Sequence, residues 1–391
     1  MWSRSLWAAG FRWRCPGVSP SASARAEPEN GILGLRMTRV LLSVLILLMS
    51  SPALAGWPQA VGPPDHFRQG SGRQAGGRDI GLEAAARAGA TLPRLRSLLV
   101  SHRGELVLER YYGGARASQA ANLKSASKSI ISALTGIAVS RGLIKSVDQP
   151  IGDYFPELVK DPDKRKREIT IEDLLTMRSG LESTSGRDYG AWVQSPNWVR
   201  YVLTRPLTDE PGTRVEYSTG TSHLLSAILT KATKSSTWQF AQESLAKPLG
   251  FALPRWTQDP QGIYFGGNEM SMTPRQMVSF GELYLNNGRV GATQVLPKEW
   301  IAKTRVPRGR SRWGSDREYG YGFWIRELAG HDSYYAWGYG GQFVFIVPEL
   351  QLVVVTTSRT DVSTERRDHL GAIYDLVEQQ VIPALKPSAL W

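Results

Sequence analysis

Residues 125–142 read SASKSIISALTGIAVSRG, and this stretch carries the main helix signal and the main chemical signal of the chain. Its apolar residues recur at helical spacing up to a stop at Gly142: Ile130, Ile131, Leu134, Ile137 and Ala138. The pattern predicts a helix over 125–141. Because Ser125 and Lys128 are three residues apart, they share one face of that helix, and the Lys amine can reach the Ser hydroxyl.

This spacing suits nucleophilic catalysis. A Ser hydroxyl is a weak nucleophile until a neighbouring group accepts its proton, and a Lys amine does so only where burial or nearby positive charge lowers its pKa. A Ser at a helix start also has free backbone N–H groups that can stabilise an oxyanion. The alternative is that Ser125 caps the helix and Lys128 is solvated. Ser244 and Lys247 have the same spacing, but their helix runs directly into Pro248, so we interpret them as structural.

Strand-like runs lie towards both ends of the chain, with helical patterns between them. Hairpins are predicted for 98–102 with 105–112 and for 343–347 with 352–357, and a further strand for 321–325. The second hairpin is almost continuously apolar, which indicates that both of its faces are covered. Helices are predicted for 82–90, 171–176, 198–203, 223–233, 238–245, 274–285, 297–305 and 366–380.

This order of elements predicts an α/β (α+β) fold. An antiparallel sheet built from both ends of the chain would be flanked by helices, and an all-helical region would be inserted in the middle. We assign the sheet part to 81–144 and 318–385 and the helical part to 145–317, within one domain spanning 81–385. A cleft between the sheet and the insertion is the expected place for a site.

Two further motifs have the character that this chemistry needs. Tyr217-Ser218-Thr219-Gly220 precedes a predicted helix, where the Tyr217 phenol can relay a proton between Lys128 and a leaving group. Ala336-Trp337-Gly338-Tyr339-Gly340-Gly341 precedes a strand, whose edge can supply a second oxyanion N–H. The structural alternatives are a packed aromatic residue for Tyr217 and a tight turn for the glycine-rich run.

The N-terminal residues resemble an export signal. Arg39, the apolar run 40–49, Pro52 and the small-x-small site Ala53-Leu54-Ala55 fit a secretory signal peptide over 37–55. We therefore expect a periplasmic or secreted protein, cleaved near Ala55-Gly56 and without a transmembrane span in its mature form. The alternative is a buried leader helix. Residues 1–36 are interpreted as a non-translated or leader extension, and 56–80 as a flexible linker.

Composition and motifs exclude several other classes. The chain has 391 residues, a formal net charge of +12 and a single cysteine, Cys15. It contains no HExxH motif, no Walker A loop and no Gly-x-Ser-x-Gly elbow, so neither a metal nor any other cofactor is expected. The basic residues are scattered. Binding of nucleic acid or a membrane surface through 164–167 or 305–312 is therefore the weaker interpretation, and no nucleic-acid partner is expected.

Taken together, the motifs resemble serine hydrolases related to class C β-lactamases, and within them esterases and nylon-oligomer (aminohexanoate-dimer) hydrolases. The likeness covers roughly residues 95–380. Beyond the motifs already quoted, it includes these stretches: 142–144, 148–151, 169–180, 211–213 and 248–250. The resemblance implies a β-lactamase/transpeptidase-like fold and an acyl-enzyme on Ser125. It also implies Lys128 and Tyr217 as the base system, with an oxyanion hole formed by the backbone N–H groups of Ser125 and Tyr339.

The sequence departs from this family at two positions that bear on substrate. Thr219 stands where the family has Asn, and Ala336-Trp337-Gly338 replaces a Lys- or His-containing motif. We expect the second change to remove the cation that grips a substrate carboxylate. Small-molecule esters or linear amides are then favoured over β-lactams and D-Ala-D-Ala peptides, with a non-catalytic binding or scaffold protein as another alternative. Loops 181–200 and 305–320 are expected to wall the pocket, with Tyr189, Trp192, Trp198 and Trp313 as candidate substrate contacts and a packing role as the favoured alternative for each. Trp337 and Gly338 are further candidate contacts.

The resemblance also leads to an expectation about protonation. Burial should lower the pKa of Lys128, and a neighbouring ammonium should lower the pKa of Tyr217. The two groups would then titrate as one coupled pair.

Overall fold

The structure, a computed structural model, describes residues 68–69, 76–310 and 317–385, with side chains from residue 81 onward. The predicted extension 1–36 and signal peptide 37–55 lie outside the described residues, as do Cys15, Trp313 and most of the predicted linker 56–80. The described helix α1 begins at Gly76, so the last five residues assigned to that linker belong to it.

The described chain contains twelve strands and eleven α-helices, together with seven short 3₁₀- or π-helical segments. The strands are β1 (Arg68–Gln69), β2 (Leu95–His102), β3 (Glu105–Tyr111), β4 (Ala121–Asn122), β5 (Ser271–Met272), β6 (Arg289–Val290), β7 (Thr293–Gln294), β8 (Glu318–Tyr319), β9 (Trp324–Leu328), β10 (His331–Gly338), β11 (Gln342–Val347) and β12 (Leu352–Ser358). The helices are α1 (Gly76–Ala90), α2 (Ser127–Ser140), α3 (Ile171–Leu175), α4 (Tyr189–Val193), α5 (Trp198–Leu203), α6 (Thr219–Thr233), α7 (Thr237–Ala241), α8 (Pro274–Leu285), α9 (Lys298–Thr304), α10 (Arg366–Asp375) and α11 (Ile382–Ala384).

The main sheet joins both ends of the domain, as the order of elements predicts. Its eight strands run in the order β1-β3-β2-β12-β11-β10-β9-β8. All neighbours are antiparallel except the two-residue β1, which runs parallel to β3. At the centre of the sheet β2 pairs with β12, so the N-terminal hairpin and the C-terminal strands form one continuous sheet. The predicted α/β fold with an antiparallel sheet and flanking helices is confirmed.

Helices cover both faces of this sheet. Along β11, Phe343 and Phe345 face a core that includes Ile373 and Val377 of the C-terminal helical segment, whereas Val344 and Ile346 face a core shared with α2, α6 and α8. This alternation follows from the two-residue repeat of a strand. All of β11 and β12 is buried, which confirms that the apolar hairpin is covered on both faces.

The first of the predicted C-terminal strands differs from the structure. We expected a strand over 321–325, but Gly320 to Phe323 form a turn and β9 begins at Trp324. Its partner β10 was missed, because Ala336-Trp337-Gly338 was grouped with the glycines that follow and no strand was predicted for the residues before it. Those glycines form the β10–β11 turn, where Gly340 and Gly341 have φ of 89° and 111°, a left-handed region that favours glycine.

The helix after Tyr217 also begins earlier than expected. α6 starts at Thr219 rather than at residue 223, because the Ser218 side chain accepts a hydrogen bond from the Thr221 N–H and caps it. Among the helices that the structure describes, none is both long and apolar enough to cross a membrane.

Candidate active site

The segment that carries Ser125 is a tight turn leading into α2. Lys124 has φ of 50°, which is unusual for a residue with a Cβ, and residues 124–126 form a 3₁₀ turn. Side chains on either side hold this conformation, since the Lys124 N–H donates to Asn122 Oδ1 at 2.9 Å and Ser127 Oγ donates to the Lys124 carbonyl at 2.7 Å. Ser125 is therefore presented at the first turn of a helix, half-buried at the edge of a cavity.

Lys128 is buried one turn later, and its ammonium group has three oxygen neighbours. Nζ lies 3.1 Å from Ser125 Oγ, 3.2 Å from Thr219 Oγ1 and 2.8 Å from the Gly267 carbonyl. Only 3% of the residue is exposed. Burial disfavours the charged amine and lowers the pKa of Lys128 to about 7. An amine with this pKa can accept the Ser125 proton near neutral pH.

Tyr217 lies beside Ser125 and Lys128, and the direction of its pKa shift differs from our expectation. Its phenol hydrogen-bonds with Ser125, and its ring lies 4.8 Å from Lys128 Nζ. The ring stacks on Trp324 and meets Tyr319 edge-on. Burial raises the pKa of Tyr217 above its ordinary value. The expectation that a neighbouring ammonium lowers this pKa is therefore wrong, because desolvation of the phenolate dominates.

These side chains open onto a cavity of about 260 Å³. Its lining combines aromatic and cationic side chains around the Ser125 hydroxyl: Ser125, Tyr217, Arg317, Trp324, Trp337, Tyr339 and Arg366. The Arg366 guanidinium lies 4.6 Å from the Tyr339 ring centre, and that of Arg317 lies 5.3 Å from the Trp337 ring centre. The expectation that the site lacks a cation is wrong, because two arginines from outside residues 336–338 reach the cavity.

Of the candidate substrate contacts that the structure describes, only one lines the cavity. Trp337 lines the cavity. Trp192 is fully buried and donates its indole N–H to the Trp198 carbonyl, so it is a core residue and the prediction for it is wrong. Tyr189 stacks on Phe265 outside the cavity lining.

Gly338 also lies outside the cavity lining, and its importance is steric. A Cβ there would come within 2.0 Å of the Leu123 carbonyl, so glycine allows β10 to approach the turn that presents Ser125.

The second Ser-x-x-Lys motif does not form a comparable site. Ser244 is buried and its Oγ accepts a hydrogen bond from the Arg141 guanidinium, while Lys247 is exposed. The prediction that this motif is structural is confirmed.

Sequence reasoning missed several residues near the catalytic candidates. Thr219 was noted only as a departure from the family, yet it contacts Lys128 directly. The Gly266-Gly267 pair was passed over, although two adjacent glycines between bulky residues are a signal for close backbone approach. Arg317 lies in a loop expected to wall the pocket but was not singled out, and Arg366 carried no signal, because it lies far from any motif. In the part of the chain described, no group of three or more His, Cys, Asp or Glu residues is arranged to hold a metal ion.

Comparisons with known proteins agree with this architecture. The Beta-lactamase family model matches residues 82–378. A protein from Bacillus anthracis assigned as a 6-aminohexanoate-dimer hydrolase superposes with a TM-score of 0.60 at 20% identity, covering 74% of this chain and 80% of that one.

Two further solved structures share the fold. A family VIII carboxylesterase has a TM-score of 0.61 at 18% identity, covering 76% of this chain and 97% of that one. An octameric penicillin-binding protein homologue from Pyrococcus abyssi has a TM-score of 0.60 at 16% identity, covering 78% of each chain. A comparison with curated protein sequences finds no significant match. Because the family model spans about three quarters of the residues, the chain belongs to the Beta-lactamase family.

Proposed function

We propose that this protein is an exported serine hydrolase that cleaves esters or linear amides through an acyl-enzyme on Ser125. The observation that carries the proposal is the buried Lys128, whose pKa of about 7 and 3.1 Å contact with Ser125 Oγ suit it to act as a base. The solved structures similar in fold include a family VIII carboxylesterase and a protein assigned as a 6-aminohexanoate-dimer hydrolase.

In the first half of the reaction, neutral Lys128 accepts the Ser125 proton while Oγ attacks the substrate carbonyl. The backbone N–H groups of Ser125 and Tyr339 stabilise the resulting oxyanion. Tyr217 remains a phenol, because burial raises its pKa. It donates its proton to the leaving oxygen or nitrogen and regains one from the Lys128 ammonium, so the C–O or C–N bond breaks without an anionic leaving group.

In the second half, water attacks the acyl-enzyme. Lys128, neutral again after its proton has left with the alcohol or amine, accepts a proton from that water. It returns the proton to Ser125 Oγ as the bond between Oγ and the acyl carbon breaks, which releases the acid and restores the Ser125 hydroxyl. Each proton taken up in one half-reaction is returned in the same cycle, so no cofactor is needed.

The test is hydrolysis of a short-chain aryl ester by the purified chain. We expect Ser125→Ala to lower kcat by a factor on the order of 10³ or more, since nucleophile and base act as a unit. Ser244→Ala is the matched control and should behave as the parent. Intact mass after treatment with a fluorophosphonate should show one adduct in the parent and none in Ser125→Ala. Undiminished esterase activity in Ser125→Ala would refute the assignment.

One observation favours a second candidate, the hydrolysis of carboxylate-bearing substrates such as β-lactams or D-Ala-D-Ala peptides. Arg317 and Arg366 line the same cavity as Ser125, and guanidinium groups bind carboxylates through paired hydrogen bonds. The test compares kcat/KM for aryl esters of butyrate and of succinate and for a chromogenic cephalosporin. If this candidate is correct, Arg366→Gln reduces kcat/KM roughly tenfold for the succinate ester and the cephalosporin, which both carry a carboxylate, and leaves the butyrate ester unchanged. The exposed neighbour Arg367 gives the control, Arg367→Gln.

A further inference from the structure

A buried histidine lies one helical turn from the residue that contacts the base. His223 and Thr219 are four residues apart on α6, so they occupy the same face of that helix. His223 is fully buried among aromatic rings, with ring centres 5.4 Å from Trp198 and 5.9 Å from Phe265. No step of the proposed reaction uses it.

Both ring nitrogens of His223 have defined partners. Nδ1 accepts a hydrogen bond from the Gly266 N–H at 3.3 Å, and Nε2 lies 3.0 Å from Asp259 Oδ2. A backbone N–H can only donate, so Nδ1 must carry the lone pair and Nε2 the proton. Asp259 fixes this tautomer, because its Oδ2 faces Nε2 while its Oδ1 accepts from the N–H groups of Gln261 and Ile263 at 2.8 and 2.9 Å.

The 264–267 segment lies along the same face of α6. Ser226 Oγ donates to the Tyr264 carbonyl at 2.6 Å. A Cβ on Gly266 would come within 2.3 Å of the Ser222 carbonyl, so the absence of a side chain allows this close approach. His223 is the side chain that accepts the Gly266 N–H within this segment. The next residue, Gly267, places its carbonyl 2.8 Å from Lys128 Nζ.

That carbonyl determines how Lys128 can act. A neutral amine has two N–H donors and one lone pair, and the Gly267 carbonyl can only accept. One N–H must therefore point at Gly267, a second can point at Thr219 Oγ1, and the lone pair is left facing Ser125 Oγ, which is the direction that proton transfer requires. If the carbonyl turned away, the amine would lose the contact that fixes this orientation.

We propose that His223, held in one tautomer by Asp259, is a positioning residue that fixes the Gly266–Gly267 segment and thereby aims Lys128 at Ser125. The inference rests on the proposed function. It adds two residues that do not touch the substrate and act only through the backbone.

Asp259→Asn tests the proposal with almost no change in shape. The amide oxygen must take the Oδ1 position to accept the Gln261 and Ile263 N–H groups, so the NH₂ group faces Nε2. His223 must then carry its proton on Nδ1, where it opposes the Gly266 N–H. We expect kcat for the aryl ester to fall on the order of 10²-fold, as for a base displaced by about 1 Å, with KM little changed.

A second readout separates positioning from folding. A carbonyl acceptor stabilises the ammonium, so its loss should move the acid limb of the kcat profile to lower pH. Tyr217 is the titratable side chain whose ring lies against Lys128 Nζ, and it is unchanged in this variant. Rates are counted per Ser125 site titrated with a fluorophosphonate, so misfolded protein does not contribute. The matched control is Glu349→Gln, which alters the exposed His331–Glu349 pair at the other end of β10 and should leave kcat unchanged.

Substitutions at His223 give an independent check if Asp259→Asn folds poorly. Asparagine can place its amide oxygen where Nδ1 lies and accept the Gly266 N–H, whereas glutamine reaches towards Asp259 and leaves Gly266 unpaired. We expect His223→Asn to retain at least tenfold more activity per site than His223→Gln.

Equal losses in these two variants, or parental kcat and acid limb in Asp259→Asn, would overturn the proposal. If Ser125→Ala is inactive while Asp259→Asn is normal, the positioning role alone fails. If Ser125→Ala retains activity, the proposed function itself fails.

Discussion

The pH dependence of ester hydrolysis should follow the titration of Lys128. In the proposed reaction this amine must be neutral to accept the Ser125 proton, and burial lowers its pKa from the ordinary 10.5 to about 7. We therefore expect kcat/KM to rise with pH through an acid limb centred near 7 and to level off above about pH 8. Tyr217 should not contribute to this limb, because its pKa is raised.

The size of the effect follows from the neutral fraction. At pH 7 about half of the Lys128 side chains are neutral, against roughly 3 in 10⁴ for an ordinary lysine, so burial supplies about a 10³-fold larger population of active base. Below the midpoint, each pH unit should reduce kcat/KM about tenfold. At pH 5 the rate should therefore be about one fiftieth of its value at pH 7.

The assay is initial-rate hydrolysis of an aryl ester between pH 5 and 9.5, with substrate well below KM so that the free enzyme is titrated. Each rate is corrected for spontaneous hydrolysis and for the ionised fraction of the phenol released. Arg367→Gln, which changes an exposed side chain, controls for the overall charge. A flat profile across this range, or an acid limb above pH 9, would show that Lys128 is not the base in the state the structure presents.

Three further substitutions test other parts of the argument. Tyr217→Phe should lower the burst rate of acylation on the order of 10²-fold or more in stopped-flow measurements, with no loss of thermal stability, because it removes only the proton donor; a parental burst would leave Tyr217 as a packing residue. Gly266→Ala should lower the free energy of unfolding, measured by urea denaturation, by about 1–3 kcal/mol, since a Cβ would lie 2.3 Å from the Ser222 carbonyl. The control Gly190→Ala should be nearly neutral, because no atom lies within 4 Å of a new Cβ there. Lys128→Met should abolish activity but raise the free energy of unfolding at pH 7 by about 1–3 kcal/mol. Burying the amine costs up to about 4 kcal/mol at this pH, and the loss of its three polar contacts offsets part of the gain. The gain should shrink as the pH approaches 10.5, so an equally large gain at pH 10 would contradict this prediction.

The fold could be predicted from the sequence because its signals are local. The Arg103-Gly104 turn lies between two apolar runs, and the structure has an antiparallel hairpin of β2 and β3 there, with one register shift between Val100 and Ser101. The helix at Ser127–Ser140 likewise follows from its own apolar spacing. β10 was missed because its aromatic residues lead directly into a glycine-rich turn, and composition alone does not show where the strand ends.

The site could be predicted only where its residues belong to a motif. Ser125 and Lys128 are one helical turn apart, so their contact is encoded in their spacing. Arg317 and Arg366 are separated by 49 positions and reach one cavity only because β8 to β12 fold between them. No local pattern marks either arginine. The absence of a cationic residue at 336–338 therefore led to the wrong expectation that the site has no cation.

The lowered pKa of Lys128 is likewise a property of the fold rather than of the motif. Ser244-x-x-Lys247 has the same spacing, but its lysine is exposed and its serine is occupied by Arg141. What distinguishes Lys128 is that two segments remote in sequence, the start of α6 and the Gly266-Gly267 pair, meet it beside the adjacent turn that carries Ser125. An amine kept neutral in this way weakens the fold at every pH below its ordinary pKa, since the unfolded chain binds the proton more tightly. The apolar residues buried on both faces of the sheet, including all of β11 and β12, must offset that cost for the fold to hold an amine with so low a pKa.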